Sequence, residues 1–169
     1  MFLKRIFARS TDTSQSLYEA IVAAARRPFF YAEWAVPDNL DGRFDLISLH
    51  LFLVLERLKG EGARAEDFRQ RLTDVFFADM DRSLREMGVG DLSVGKKVRK
   101  MSEVFYGRVR AYSTALAQGE GLADALRRNV YAGVADEDGA RLAAWVVSAR
   151  GALKAQGVQD ILDGRVEFP

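Results

Sequence analysis

Apolar residues recur three and four positions apart along almost the whole chain, the period of a helix with one buried face, and runs that alternate every second residue are missing. The pattern predicts an all-α fold. A first helix should run from an N-cap at Thr13 or Ser14 to Arg27, because Pro28 disfavours helix in the residue before it. Residues 29–42 are aromatic but not periodic and read as an irregular segment packed across helices. A second helix is expected over 43–59, ending at Gly60-Glu61-Gly62, and a third over 65–87, ending at Gly88-Val89-Gly90. A fourth should begin at an N-cap on Ser93 and reach Ala117, and two shorter ones should follow over 122–131 and 136–155. The expected architecture is a single-domain bundle of about six helices over residues 13–157. It is preceded by an amphipathic segment over 1–12 and followed by an extended tail over 158–169.

Composition narrows the chemistry more than the fold. The 169 residues are 49% hydrophobic and 29% charged, ample for a folded core. Twenty-five bases against twenty-four acids leave a net charge of +1, so any preference for an anionic partner must be local. With no cysteine and a single histidine, disulfide frameworks, thiol nucleophiles and cysteine-bearing metal sites are excluded. The longest apolar run, Leu46 to Leu55, is ten residues including Ser48 and His50, too short to cross a bilayer and suited to a buried helix. Phe2, Leu3, Ile6 and Phe7 share a helical face beside Lys4, Arg5 and Arg9, either a helix docking on the domain or a weak interfacial anchor. No apolar secretory core follows, so a cytoplasmic location is expected, with a peripheral position at the inner face of the plasma membrane as its variant.

Three motifs suggest chemistry and fail on geometry. Gly90 to Lys97 matches the first seven places of a phosphate-binding P-loop, but Lys97 stands where a magnesium-binding hydroxyl is needed and a helix, not a strand, precedes it. Asp79 and Asp81 cannot converge on one metal, since residues two apart on a helix point about 200° apart. His50 has no second histidine with which to share a metal and reads as a core or boundary residue. No catalytic residue, metal or cofactor is expected.

Two helices carry the informative asymmetries. Around the helix over 65–87, Phe68, Leu72, Val75, Phe76, Phe77, Met80, Leu84 and Met87 cover an arc of about 200°, wider than one core-facing stripe requires. Either this is a central helix packed on both sides, or Phe77, Met80, Leu84 and Met87 line a groove for an apolar client. Asp79 falls inside the arc and should be held in a structural ion pair by a base from the next helix or nearby. Along the fourth helix the apolar stripe is narrow, with Lys96, Arg99, Lys100 and Arg110 opposite it. Six bases and one acid lie between Val94 and Arg110, a face that is either simply solvated or a docking surface for acidic protein, ribosomal RNA or anionic lipid.

The block from Phe76 to Met101, with Phe105-Tyr106-Gly107-Arg108 after it and Phe30-Tyr31 and the helix around Phe44 to Leu58 before it, resembles the ubiquinol-cytochrome c chaperone family, over roughly residues 29–150. Without a long N-terminal targeting region, the chain looks like the short bacterial form of that family. The resemblance implies an all-helical, non-catalytic assembly chaperone. Mitochondrial members look after newly made cytochrome b during assembly of the cytochrome bc1 complex, together with a small partner protein. The expected partner is therefore cytochrome b, nascent or newly inserted, bound at Phe77, Met80, Leu84 and Met87, with Lys96, Arg99, Lys100 and Arg110 docking on the ribosome or a membrane surface. DNA and small-molecule substrates are not expected. The alternative function is a ribosome-binding, nucleic-acid-binding or membrane-surface module acting through the basic helix 94–110.

Overall fold

The computed structural model describes residues 2–169, with side chains from residue 13 onward. Among these residues every regular element is an α-helix, and there are eight. They are α1 (Phe2–Ala25), α2 (Phe29–Ala32), α3 (Leu40–Leu58), α4 (Ala63–Glu86), α5 (Asp91–Gln118), α6 (Leu122–Asn129), α7 (Ala140–Ala155) and α8 (Val158–Leu162). Two single-turn helices are thus added to the six long ones expected, one inside the aromatic segment and one in the supposed tail. The first helix begins at Phe2 rather than at Thr13 or Ser14. The amphipathic face expected over residues 1–12 lies outside the described side chains.

The fold is organised around α3. From Leu46 to Leu55 every residue is buried, and α1, α4, α5 and α7 all pack on it. A helix apolar on all sides is stable only as the centre of a bundle, and here the surrounding amphipathic helices turn their stripes toward it. Its start is fixed locally. Asn39 accepts a hydrogen bond from the Gly42 amide at 2.9 Å, which moves the helix start to Leu40 from the expected Arg43. Gly42 is required there, because a Cβ would fall 1.9 Å from the Pro37 carbonyl oxygen. Ser93 is likewise not a cap: α5 begins at Asp91, with Gly90 in the cap position. The last long helix starts at Ala140, not Asp136, where Asp138 accepts from the Ala140 amide and Gly139 turns with φ 77°.

The C-terminus is a packed strap rather than an extended tail. After α8, which buries Ile161 and Leu162, the chain runs back along α7 and buries Phe168. Arg27 donates to the carbonyl oxygens of Phe168 and Pro169, and Gln156 both accepts from the Glu167 amide and donates to its carbonyl. Phe168 completes a cage around His50. Its ring lies 4.8 Å from the imidazole, Trp145 lies 4.8 Å away and Phe30 lies 5.5 Å away. His50 is 0% exposed, and its Nδ1 lies 2.7 Å from the Leu46 carbonyl oxygen, so that nitrogen carries the proton and donates. Burial pulls its pKa down to about 4, which keeps the ring neutral.

A folded-state pKa below the unfolded value of about 6.5 means that this histidine supports folding above that pH and withdraws the support as pH falls toward 4. Because the chain has one histidine, its ring protons report on it without ambiguity in NMR. Phe168→Ala should cost about 3 kcal/mol at neutral pH and return the titration of His50 toward 6.5 as water enters the cage. An unchanged titration in that variant would show that the strap does not seal the core.

Candidate docking surfaces on the α4–α5 hairpin

The block that carries the family resemblance forms the hairpin of α4 and α5. Its interior is a chain of aromatic contacts running from the core to the surface. Phe76 stacks on Phe44 of α3 at 5.8 Å and meets Phe105 of α5 at 5.2 Å and Tyr18 of α1 at 6.2 Å. Phe77, the next residue, points toward α5, 5.8 Å from Phe105 and 6.3 Å from Tyr106. Tyr106 closes the series in solvent at 54% exposure. Beside it a cleft of about 200 Å³ opens between α3, α4 and α5, with Phe52, Leu55, Phe105 and Val109 inside and Glu56, Glu66 and Arg69 among the residues at its rim.

The wide apolar arc of α4 is mostly spent on packing. Met80 and Leu84 are both 7% exposed, and Phe77 is half-buried against α5. Of the four residues expected to line a client groove, Met87 alone is exposed, at 52%, on the turn that follows α4. The four therefore do not form one open surface. The arc is wide because α4 packs on α1 along one flank and on α5 along the other.

Asp79 is paired to a nearby base, on its own helix rather than on the next one. Arg82 of its own helix donates to one carboxylate oxygen, and the Tyr18 hydroxyl of α1 donates to the other at 2.8 Å. At 100° per residue Asp79 lies about 160° around α4 from Phe77, which faces α5, so no base of α5 could reach it. Burial, reinforced by the carboxylate, holds the Tyr18 phenol protonated far above its ordinary range.

The buried ion pair of the hairpin is Arg108 with Asp45, which the sequence reading did not single out. Asp45 is buried at the start of α3, and Arg108 reaches it from α5 while its guanidinium sits 5.4 Å from the centre of the Phe44 ring. Two signals pointed to it: Arg108 closes the Phe105–Arg108 block, and Asp45 is an acid immediately before the apolar run. Burial pushes the Asp45 carboxyl up to about 7, opposed by the charge and hydrogen bond of Arg108.

The bases of α5 lie where the helical projection put them. Lys96, Arg99, Lys100 and Arg110 are exposed on the outer face. Arg99 and Lys100 stand 3.6 and 3.8 Å from Glu103, and Lys96 and Arg110 have no ion pair among the described residues. Near Lys96 stands a residue the reading overlooked, Leu92, fully exposed at 102% in the first turn of α5. The segment that imitated a P-loop is only the turn before α5 and its first two turns. A larger cleft, about 590 Å³, lies on the far side between Arg26, Pro28, Tyr31 and Arg43, but Arg43 is bound to Asp38 at 2.8 Å and the Tyr31 hydroxyl donates to the Ala25 carbonyl. No helix among the described residues is long and apolar enough to cross a membrane.

Raised above the unfolded value of 3.8, the Asp45 pKa means that stability from this carboxyl is present at low pH and is lost as pH climbs through about 7. Removing the arginine raises that pKa further. Arg108→Met should therefore cost about 3 kcal/mol at pH near 8 and clearly less near 5, read from urea unfolding at the two pH values. Equal losses at both would mean that the pair is not desolvated.

Comparison with known proteins agrees with this construction. The family model described as ubiquinol-cytochrome c chaperone matches residues 32–168. Ubiquinol-cytochrome-c reductase complex assembly factor 1 of Xenopus laevis is 26% identical over 102 residues, 60% of this chain and 51% of the relative. The factor of the same name in Mus musculus is 26% identical over 116 residues, 68% of this chain and 39% of the relative. The chain thus spans about half the length of these curated relatives, or less. The crystal structure of the Cbp3 homolog from Brucella abortus superposes with a TM-score of 0.89 at 37% identity, covering 99% of this chain and 94% of that one. With the match running from the end of α2 through the hairpin to the residue that seals the core, this chain belongs to the ubiquinol-cytochrome c chaperone family.

Proposed function

We propose that the chain is a non-catalytic chaperone in the assembly of the ubiquinol-cytochrome c reductase (bc1) complex, and that its client is newly made cytochrome b. The observation that carries this is the family match across the whole hairpin, taken with relatives whose name is assembly factor of that complex. The polar groups support a binding role. Asp45 and Asp79 are each committed to a partner on another helix, His50 bonds a carbonyl of its own helix inside an aromatic cage, and the larger cleft offers no free nucleophile.

The client contact is assigned to the outer end of the aromatic series: Phe77, Tyr106 and the cleft over Phe52, Leu55, Phe105 and Val109, whereas Met87 caps the far end of α4 and is left out of it. Met80 and Leu84 hold this surface from beneath rather than touching the client, because both are buried. An open apolar cleft with a charged rim suits an apolar segment that needs temporary cover, and its exposed tyrosine can leave the partner without restructuring the core. Lys96, Arg99, Lys100 and Arg110 keep the chaperone near the site where the client emerges.

Deleting the gene should lower b-type haem in the membrane and the level of the bc1 complex while terminal oxidases without this cytochrome persist. In the complemented strain, Tyr106→Ser should reduce cytochrome b recovered by cross-linking about tenfold, with the melting temperature nearly unchanged because the ring is largely exposed. Phe77→Ser tests the same surface but needs its fold checked first. Normal bc1 levels in the deletion strain, with no cytochrome b recovered on the parent protein, would remove the proposal.

A further inference from the structure

Leu92 has no packing role in the fold. It is fully exposed, and the turn before it adds Met87 at 52%. A Cβ added at Gly88, Gly90 or Gly95 would meet no atom within 4 Å, so the backbone around Met87 and Leu92 is uncovered as well. Met87 and Leu92 thus stand in water five residues apart in sequence, a pair of aliphatic side chains rather than a lone exposed one.

The charge beside them says what kind of surface that is. On the 100° projection, Leu92, Lys96, Arg99, Lys100, Glu103 and Arg110 fall within an arc of about 100° on the outer face of α5. Residues 92 and 110 are separated by about 27 Å along the axis. Glu103 is the one acid in this series and is shared by Arg99 and Lys100. At the turn, Asp91 is already engaged by Arg85. An apolar end beside a row of bases is the pattern that suits an anionic lipid bilayer, where Leu92 and Met87 would enter the acyl boundary and the bases would sit among the headgroups.

We infer that the outer face of α5, with the α4–α5 turn, is a docking surface for anionic lipid bilayers. RNA fits less well. It would use the bases and can stack one base on the exposed Tyr106 beside Arg99, but it offers no apolar interior to two aliphatic side chains. An acidic protein would match the charge but would need an apolar pocket placed to receive Leu92, whereas a bilayer offers acyl chains beneath anionic headgroups wherever the face lands. The inference is independent of the client proposal, because vesicle binding is measured with no client present and survives or fails on its own.

The test is co-flotation of the full chain with two kinds of vesicle, phosphatidylcholine alone and phosphatidylcholine with about 30% phosphatidylglycerol, at about 50 and 300 mM salt. The parent should bind the anionic vesicles, weakly or not at all the neutral ones, and less at the higher salt. The triple variant Lys96→Glu, Arg99→Glu, Lys100→Glu should lose binding at least about a hundredfold. Leu92→Ser should weaken it about tenfold at both salt concentrations alike, since the loss is of apolar contact. Both variants alter exposed side chains and should melt with the parent. Equal binding to neutral vesicles, or anionic binding that survives both variants, would overturn the inference. So would binding of an unstructured RNA oligonucleotide that the charge variant abolishes and Leu92→Ser leaves intact, in a protein that ignores vesicles.

Discussion

Fourteen of the nineteen residues of α3, on nearly every side of the helix, are removed from water, and the rest of the fold is the means of doing so. No single neighbour can cover a helix that is buried all round, so α1, α4, α5 and α7 each contribute one stripe. The arrangement leaves each covering helix an outer face with no structural duty. It also buries polar groups of α3, of which Ser48 Oγ and His50 Nε2 have no hydrogen-bond partner among the described residues. Asp45 takes Arg108 from α5, and His50 stays neutral on a backbone carbonyl of its own helix. An unmet charge at either position would cost more than the contact it replaced.

The Arg108–Asp45 pair also links the core to the surface where recognition is assigned. Tyr106 and Arg108 are two residues apart on α5 and so point to nearly opposite sides, one to solvent and one to α3. Fixing the arginine fixes the rotation of α5 about its axis, and with it the direction of Tyr106 and of the basic row. The stacking of Arg108 on Phe44, itself stacked on Phe76, ties the same rotation to α4. A binding face built this way needs no loop to shape it, because the helix that presents it cannot turn without breaking a buried pair.

How much of this was legible depended on whether the signal was periodic or tertiary. The six long helices and the all-α class followed from spacing alone, as did the outward placement of Lys96, Arg99, Lys100 and Arg110. Helix starts were less legible: Asn39, Asp138 and the Gly90 turn compete with equally plausible caps at Ser93 or Asp136, and the winner is decided by what packs behind. The partner of Asp79 was not legible, since whether a residue inside a wide arc faces α1 or α5 depends on where those helices lie. The same ambiguity hid the fate of Met80 and Leu84, whose spacing suits a groove and a core equally. Residues 158–169 read as a tail because a five-residue helix and a lone Phe168 leave no period to detect, although that ring seals the cage around His50. Leu92 was missed for the opposite reason: it belongs to no stripe, and an apolar residue outside the stripe is informative only once its exposure is known.

Three of the five exposed large apolar residues among the described residues lie on the hairpin, the others being Leu40 of α3 and Val147 of α7. Met87 and Leu92 flank the turn, and Tyr106 rests on its neighbours Phe77 and Phe105 without being covered by them. Substituting such residues should alter folding little, because α3 stays covered without them. A second copy approaching along the basic face would meet like charge beside Leu92, so an apolar contact there favours a surface of opposite charge over the same face of another chain.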